Sequence, residues 1–509
     1  MLAWTIYISF LGVLALMVLP ASKAPAARTI ALLSAVGGFA VALASFFHFK
    51  ANDTIEITNA DWIPALGIRY HLAADGISMV LVLLTGLAAI TGILFSWNIE
   101  HRAREFFAFY LVLIGGVYGV FLSFDLFLLF VFYELAIIPK YFLIAIWGST
   151  RREYGAMKLA LYSFIGSAMV FVGLIAVYVA AGARTMDLAE LAGFHFSHNF
   201  QMWAFPLVFV GFAILAGLWP FHTWAPTGHV AAPTAASMLL AGVVMKLGAY
   251  GCLRVALTLF PLGLESWGFS VLGFGSWADV LSVMAVVGIV YGAMVALVQK
   301  DFKFVIGYSS VSHMGFVLLG LLTLNTTGLS GAVLQMFSHG IIAGLLFAVV
   351  GRMVYDRTHT RDLGELQTMH LSKLIPFAAV TFTVAAMASM GLPGFSGFVA
   401  ELQVLVGAWA AFPTLAVLAG LGILIGVAYT LRALQKAFFG EQEDVERSAP
   451  TQTMGHPALM PITVPERAGA LLLMGTTLWI GLFPGTLLNL IATSFNSPLF
   501  EWVKKGAGP

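Results

Sequence analysis

Four ionisable side chains lie within long apolar stretches of the sequence. They are Glu134, Lys140, Lys246 and Glu401. A charged side chain in the middle of a bilayer costs several kcal/mol, so its presence there is by default evidence of a functional site. Because a lysine in a poorly solvated, partly hydrated site can load and release a proton near neutral pH, Lys246 is the strongest single candidate for proton transfer.

Each of these residues also has a structural interpretation. Glu134 and Glu401 could hold neighbouring helices together, and the long stems of Lys140 and Lys246 could carry their charges to the bilayer surface. Lys140 follows Pro139 and comes six residues after Glu134. In a regular helix this spacing puts it about 9 Å further along and about 120° around the axis. Glu134 and Lys140 therefore do not share one helix face.

Histidines could pass protons between such groups, because an unperturbed imidazole has a pKa of about 6.5 and its ring can donate and accept hydrogen bonds. The candidates are His222, His229, His313 and His339. Neighbouring polar groups that could extend a chain of water are Ser309, Ser310, Ser312 and Gln335. The alternative for His313 and His339 is a hydrogen-bonded role in the core. His222 and His229 flank a break, and either a hinge or a relay fits their positions.

Membrane-spanning helices must position these groups. Of 509 residues, 60% are hydrophobic and 10% are charged, and the mean hydropathy is +0.94, whereas an ordinary soluble domain has roughly 25% charged residues. Windows of about 20 apolar residues, the length that a bilayer requires, begin near residues 2, 28, 75, 106, 125, 156, 203, 234, 277, 304, 328, 374, 413 and 466. The sequence therefore predicts an all-α polytopic membrane protein with about fourteen transmembrane helices in a single membrane domain.

Several other functions lack the residues that they need. The net charge is +1 and there is no basic run, which argues against a nucleic-acid partner. No glycine-rich phosphate loop, CxxC or HExxH motif is present, so nucleotide, zinc and iron–sulfur sites are not expected on this chain. The single cysteine, Cys252, cannot form an internal disulfide and is expected to pack in the core. The apolar stretch of residues 1–20 lacks a cleavage site and is expected to be a retained first span.

Basic residues alternate between successive loops. Loops after odd-numbered spans contain most of them, for example Arg151, Arg152, Lys300 and Lys303. Loops after even-numbered spans contain little beyond Lys50, Arg69, Arg184 and Arg254. The positive-inside rule then places both termini on the non-cytoplasmic side.

Two spans are interrupted, at residues 219–226 in the seventh and at residues 391–397 in the twelfth. Proline and glycine there release backbone groups that only a protein-lined, hydrated interior can satisfy. Since the breaks lie five spans apart, they indicate inverted repeats formed by helices 4–8 and 9–13. The expected divisions are residues 1–103 for helices 1–3, 104–258 and 277–439 for the two repeats, and 466–490 for the last helix.

In combination, these residues resemble the family of antiporter-like membrane subunits M of respiratory complex I, the NADH-quinone oxidoreductase. The matching motifs cover essentially the whole chain. They are Phe132-Tyr133-Glu134-Leu135, Pro220-Phe221-His222-Thr223-Trp224, Leu240-Ala241-Gly242 through Lys246, Tyr308-Ser309-Ser310-Val311-Ser312-His313, Gln335 with His339, and Gly391-Leu392-Pro393-Gly394 through Glu401.

The resemblance implies a proton channel that is driven by quinone reduction in distant subunits. It implies that Glu134 and Lys246 are the fifth-helix glutamate and the eighth-helix lysine, that His313 and His339 form a central polar axis, and that Glu401 is the exit residue. NADH, FMN, iron–sulfur clusters and quinone would be bound by other subunits, with no cofactor and no catalytic redox site on this chain.

The implied partners are antiporter-like subunits of the L and N types, together with lipids and protons, in a bacterial inner membrane. The same fold also serves in multi-subunit cation/proton antiporters and in membrane-bound hydrogenases, which are the alternatives. A third alternative is a structural spacer whose charges only hold helices together.

Two departures from the family pattern affect the entry end of the path. Leu215 occupies the position where the family normally has a lysine that pairs with the fifth-helix glutamate. Thr227 replaces an aspartate of the motif that ends at His229. Lys140, at a position that is usually apolar, leads to the hypothesis that it replaces the missing lysine, either by pairing with Glu134 or by taking its place. The competing possibility is an impaired half-channel in a complex with altered coupling.

Overall fold

Long apolar helices make up most of the chain. A computed structural model describes residues 1–20, 22–49, 54–264, 275–440 and 459–501. The α-helices, numbered α1 to α22 in chain order, are Ala3–Val18, Ala24–His48, Gly76–Phe95, Ala103–Leu122, Leu126–Trp147, Arg152–Ala180, Leu188–Ala192, His198–Ala216, Trp224–Ala231, Thr234–Leu239, Met245–Gly251, Trp277–Val298, Phe302–Leu322, Thr326–Phe347, Asp356–Thr358, Leu363–Gln367, Leu371–Leu374, Pro376–Ser389, Ser396–Ala411, Pro413–Phe438, Val464–Leu482 and Gly485–Ser494.

Eleven helical stretches within the described ranges are long and apolar enough to cross a bilayer, or twelve if the bent pair α21 and α22 is one span. The prediction of an all-α polytopic membrane protein is therefore confirmed. The count of fourteen remains a prediction. It requires α1 to cross the bilayer alone, and α18 and α19 to cross it together.

The most buried helices lie at the centre of the bundle. The stretches Thr234–Leu257 and Thr326–Thr358 are buried along their whole apolar windows. The second begins with α14, which packs against α3, α13, α18, α19 and α21. Lipid-facing helices such as α2 and α20 expose large apolar side chains instead. Side chains of α14 are therefore shielded from lipid on every face.

Both predicted breaks are present. After α8 ends at Ala216, Gly217 adopts φ +88° and a short 3₁₀ turn, Phe221–Thr223, precedes α9. After α18, Gly391 and Gly394 adopt φ +69° and +99° before α19 begins. Only glycine adopts such left-handed conformations without strain. The chain therefore interrupts two apolar helices at sites of backbone freedom.

One capping arrangement occurs twice in the described chain. Asp125 caps α5 and forms an isolated antiparallel β-bridge with Asp187, which caps α7. In the same way, Asp301 caps α13 and forms an isolated antiparallel β-bridge with Asp362, which caps α16. In both cases two backbone hydrogen bonds flank the pair, one on either side. This recurrence supports the inverted-repeat assignment, which stays a prediction, as do the divisions at residues 103, 258 and 277.

The polar segment before α3, which we expected to be a loop, contains a two-stranded antiparallel sheet formed by β1 (Ile55–Ile63) and β2 (Ile68–Ala74). His71 in β2 forms a buried, very short hydrogen bond with Asp187. Although burial alone would raise the pKa of Asp187, this hydrogen bond and two from backbone N–H groups hold the pKa below its ordinary value. The hairpin is thereby fixed to the loop that follows α6.

Within the described ranges, three π-helical segments interrupt the central helices: Leu240–Val244, Cys252–Leu257 and Ala348–Tyr355. The second of them corrects one expectation. Arg254, which we assigned to a loop, is completely buried in this segment, and its guanidinium donates to the carboxylate of Asp75 at 2.6 Å. The helix continues past the predicted span end because this ion pair neutralises the buried charge.

Candidate proton-transfer site

Four of the predicted residues form a buried row across four helices. Lys246 lies in α11, His339 in α14, His313 in α13 and Glu401 in α19. All four are at most 9% exposed. Since a buried ionisable group requires hydrogen-bonding or charged partners to offset its desolvation, the contacts among these side chains decide what the row can do.

The first contact joins Lys246 to His339. Lys246 Nζ lies 2.8 Å from His339 Nδ1 and also donates to the carbonyl oxygen of Ala241. Ala241 lies in the π-helical segment Leu240–Val244, where the regular α-helical pairing of carbonyls is interrupted. The π segment thus supplies a carbonyl that steadies the ammonium beside the imidazole. Both residues are at most 3% exposed, so the alternative in which Lys246 extends to the bilayer surface does not agree with the structure.

The second contact joins His313 to Glu401. His313 Nδ1 lies 3.1 Å from Glu401 Oε1, and His313 Nε2 lies 3.2 Å from Ser389 Oγ. The amide of Gln335 donates to the same carboxylate oxygen at 3.4 Å. Gly391 leaves room for Glu401 as well, because a Cβ atom there would lie 2.8 Å from Glu401 Oε2. The break in the twelfth predicted span therefore shapes the site of this carboxylate.

The two contacts adjoin through their imidazole rings. The ring centroids of His313 and His339 lie 5.4 Å apart at an interplanar angle of 32°. Among the described residues, His339 Nε2 has no hydrogen-bond partner, and neither has Gln335 Oε1. The four side chains thus form two hydrogen-bonded pairs with adjoining imidazole rings, and each side chain can accept and release a proton.

Glu134 and Lys140 lie in α5, outside this row. Lys140 is completely buried, so the alternative in which its stem reaches the bilayer surface does not agree with the structure. Its Nζ and the Oε1 of Glu134 lack hydrogen-bond partners in the described part of the chain. The two charges are near enough to interact, but no ion pair within 4.0 Å joins them there. The helix-face argument against a direct contact therefore agrees with the structure.

His222 and His229 lie beside the break in the seventh predicted span. His222 is buried, and its ring packs edge-on against that of Tyr291, with ring centroids 5.3 Å apart. His229 is completely buried and stacks on Phe347, with ring centroids 4.8 Å apart. Neither histidine has a hydrogen-bond partner for its ring nitrogens within the described ranges.

A sequence profile described as "NADH:quinone oxidoreductase/Mrp antiporter, TM" matches residues 123–426. NADH-quinone oxidoreductase subunit M of Rhodobacter capsulatus is 37% identical over 483 residues, which span 92% of this chain and 89% of that protein. The chain belongs to the subunit M family of NADH-quinone oxidoreductases. The resemblance that the motifs indicated is therefore confirmed.

Solved structures agree with this membership. A chain of respiratory complex I from Thermus thermophilus with bound NADH is 27% identical and superposes with a TM-score of 0.87 over 100% of both chains. A chain of the Mrp complex from Dietzia sp. DQ12-45-1b superposes with a TM-score of 0.83 over 100% of this chain and 99% of the other. Its identity is 22%, so that likeness concerns the fold alone.

Leu215 and Thr227 are the two residues that depart from the pattern expected for the subunit M family. Leu215, which stands where a lysine is usual, is buried beside Gly248 of α11. Thr227, which stands where an aspartate is usual, accepts a hydrogen bond from Lys158 Nζ at 3.4 Å. The described part of the chain contains no group of three His, Cys, Asp or Glu side chains placed to hold a metal ion.

Sequence reasoning also missed the burial of Lys303. This lysine, which we counted among loop residues, is 2% exposed in the first turn of α13. The signal was present, because Asp301 is a good helix cap and a cap places the residue two positions later inside the helix. Boundaries drawn from average hydropathy conceal such residues, since a charge at a helix end lowers the average and shortens the predicted span.

Proposed function

We propose that this chain conducts protons through Lys246, His339, His313 and Glu401, as a subunit of a respiratory NADH:quinone oxidoreductase. One observation carries the proposal: two buried hydrogen-bonded pairs, Lys246–His339 and His313–Glu401, adjoin through their imidazole rings inside the bundle. Membership of the subunit M family supports the assignment to a complex of this type. Ionisable groups at such depth are costly, and conduction gives a reason for their presence.

The geometry suggests an order of proton transfers. A proton on Lys246 Nζ can move to His339 Nδ1, which it already contacts, while His339 releases its other proton from Nε2. His313 accepts that proton and passes one from Nδ1 to Glu401 Oε1. Each step breaks one N–H bond and forms one N–H or O–H bond. Because no hydrogen bond joins the two imidazoles in the described chain, a water molecule between them would carry the proton from His339 Nε2 to His313.

The energy source and the setting lie outside this chain. We propose that quinone reduction in other subunits, which carry the NADH, FMN and iron–sulfur sites, drives the transfers, so the chain acts as a non-redox part of a translocating enzyme. Neighbouring antiporter-like subunits of the L and N types and lipids would surround it in a bacterial inner membrane. The distribution of basic loop residues favours non-cytoplasmic termini.

Glu401→Gln tests the exit end of the row. We expect proton uptake by the whole complex in sealed vesicles to fall about tenfold, which is less than the roughly hundredfold or larger contribution of a fully positioned proton-transfer group. The loss of uptake should be smaller than for Lys246, whose side-chain partner is a single imidazole. His313, the partner of Glu401, keeps its contacts with Ser389 and Gln335 after the substitution. Electron transfer and proton uptake are measured on the same preparation. If both equal those of the parent, Glu401 does not carry protons.

Lys140→Leu tests whether the buried α5 lysine replaces the residue missing at Leu215. Since the ammonium is completely buried without a hydrogen-bond partner in the described chain, a structural role would leave it poorly compensated. We therefore expect Lys140→Leu to reduce proton uptake about tenfold while the complex assembles normally. The exposed Lys300→Leu is the matched control. Unchanged uptake with intact assembly would show that the half-channel works without Lys140.

A further inference from the structure

A buried lysine outside the conducting row lies at one end of the membrane bundle. Lys303 is 2% exposed, and its Nζ donates to the carbonyl oxygen of Ala232 at 2.9 Å. Ala232 is the residue directly after α9, which carries His229. A buried ammonium with so little compensation is costly. Its presence therefore calls for either a structural or a proton-transfer explanation.

Lys303 lines a cavity of about 220 Å³. The cavity wall extends from Asn98, which is exposed, to Lys303, which is buried. It also contains hydroxyl and carboxylate groups, contributed by Ser96, Ser149, Thr234 and Asp356. A cavity of this size with several polar groups is able to hold water molecules. Lys303 is thus the innermost charge of a polar cleft that begins at the surface.

His229 connects this cleft to the conducting row. The imidazole is completely buried and lies three residues before Ala232, whose carbonyl oxygen accepts the hydrogen bond from Lys303. Ser237 Oγ donates to the carbonyl oxygens of both His229 and Ala232, which fixes this end of α9, and the charges of Lys246 and Lys303 both act on the imidazole. It is likewise within electrostatic range of His339. Both of its ring nitrogens are without hydrogen-bond partners in the described ranges. An imidazole placed in this way is suited to receive a proton from one lysine and deliver it to the other.

We propose that Lys303 is the entry group, which takes protons from water in this cavity and supplies them through His229 to Lys246. This inference rests on the proton-conducting function proposed above. In the transfer, an N–H bond of Lys303 Nζ breaks as one forms on one nitrogen of the His229 ring, and the N–H bond on the other ring nitrogen breaks as one forms on the neutral amine of Lys246. The neutral Lys303 amine is then reprotonated from bulk solution through the cavity water, in which each water molecule gains one proton and passes one on.

The charges around Lys303 come from three segments. Three charges act on the ammonium. They are Arg361 in the loop before α16, Asp356 at the start of α15 and Asp301, the cap of α13. Asp356 is itself held by Arg352 at 2.9 Å. The two acidic groups favour the charged lysine and the arginine opposes it. Two carboxylates and one guanidinium thus influence Lys303 with opposite signs, and neither carboxylate forms an ion pair with it in the described part of the chain.

Helix capping is the competing explanation. The last carbonyl groups of α9 and the following residue accept hydrogen bonds from Arg361, Ser149 and Lys303. A cation at a helix C-terminus is stabilising. A capping residue needs only a permanent positive charge, however, whereas an entry residue must lose its proton in every cycle. Arginine separates the two roles because its guanidinium stays protonated.

The test compares Lys303→Arg and Lys303→Met with Lys300→Arg and Lys300→Met in the assembled complex. Lys300 lies three positions earlier and is exposed, so it controls for loss or change of charge. We expect both Lys303 variants to lower proton uptake at least about tenfold, and both Lys300 variants to match the parent. If Lys303→Arg pumps like the parent, Lys303 only caps α9 and the proposal is overturned.

The Lys246→Met variant, measured in parallel, separates this inference from the proposed function. If Lys246→Met blocks uptake and Lys303→Arg does not, only the entry assignment fails. If both variants pump normally, conduction through the row fails as well.

Access of water is tested by chemical labelling. Ser96→Cys places a thiol on the cavity wall. Cys252, the chain's single native cysteine, is buried, and its Sγ donates to the carbonyl oxygen of Phe209. A charged, membrane-impermeant thiol reagent should modify the introduced thiol in sealed vesicles that expose the cavity side, and should leave Cys252 unmodified. Mass spectrometry of the isolated subunit reports both positions. If the introduced thiol is unreactive from either side of the membrane, the cavity does not admit water and Lys303 is not an entry group.

Discussion

Replacing Lys246 by methionine should lower proton uptake by the assembled complex about a hundredfold, the effect of removing a well-positioned proton-transfer group. Methionine keeps the length and much of the volume of the side chain but cannot bind a proton. His339 would then lose its contact at 2.8 Å, and the row would begin at an imidazole with no donor. Electron transfer and proton uptake, measured together in sealed vesicles, report the result.

The control for Lys246→Met is Lys300→Met, which removes the same charge from an exposed position. Lys246→Arg adds a second comparison, because arginine retains the charge but does not release protons. We expect both Lys246 variants to be defective and the Lys300 variant to be normal. A Lys246→Met complex that transfers electrons and takes up protons as the parent does would exclude the row as the path and favour a purely structural role.

Replacing Arg254 by methionine should lower the free energy of unfolding by about 3–5 kcal/mol, the usual cost of removing one partner of a buried ion pair. The carboxylate of Asp75 would remain buried without its cation. The guanidinium also lies over the rings of Phe124, Tyr250 and Phe500 at 5.1–5.5 Å, and these contacts would be lost. Denaturant titration of the full chain in detergent measures the change.

Two further variants separate the ion pair from general effects of charge. Arg69→Met breaks a solvent-exposed contact with Asp61 at 3.4 Å and should change stability by less than about 1 kcal/mol. Arg254→Met combined with Asp75→Asn should recover part of the loss, because it removes the unpaired charge while asparagine still caps α3. Equal destabilisation by Arg69→Met and Arg254→Met would show that burial of the pair is unimportant.

The helices and the ionisable residues of the buried row were predictable from sequence, because both follow from the cost of placing polar groups in a bilayer. Long apolar windows define the spans to within a few residues, and an ionisable residue inside such a window, such as Lys246 or Glu401, stands out. Proline and glycine mark the breaks because proline cannot donate a backbone hydrogen bond and glycine can adopt a positive φ. These signals depend on one helix at a time, so they do not require knowledge of how helices pack.

Features that depend on contacts between distant segments were not predictable. Arg254 and Asp75 are separated by 179 positions and stabilise one another only in the folded chain. Burial of Lys140 depends on the neighbouring helices, which helix-face arithmetic does not include. The π-helical segment that offers the Ala241 carbonyl to Lys246 has no known marker in the residues themselves. Contacts of this kind arise from tertiary packing, which overrides local preference.

The arrangement of Lys246 and Glu401 at opposite ends of the row, with two imidazoles between them, has an electrostatic consequence. When the lysine is protonated and the glutamate is ionised, the row holds one positive and one negative charge, and its sum is zero. After one proton has travelled the length of the row, both ends are neutral and the sum is still zero. The interior therefore exchanges a separated dipole for a neutral pair without ever storing a net charge. The summed charge changes only when Lys246 gains a proton from outside the row or Glu401 loses one to the outside. An event in another part of the complex could therefore control the cycle at either of these two steps.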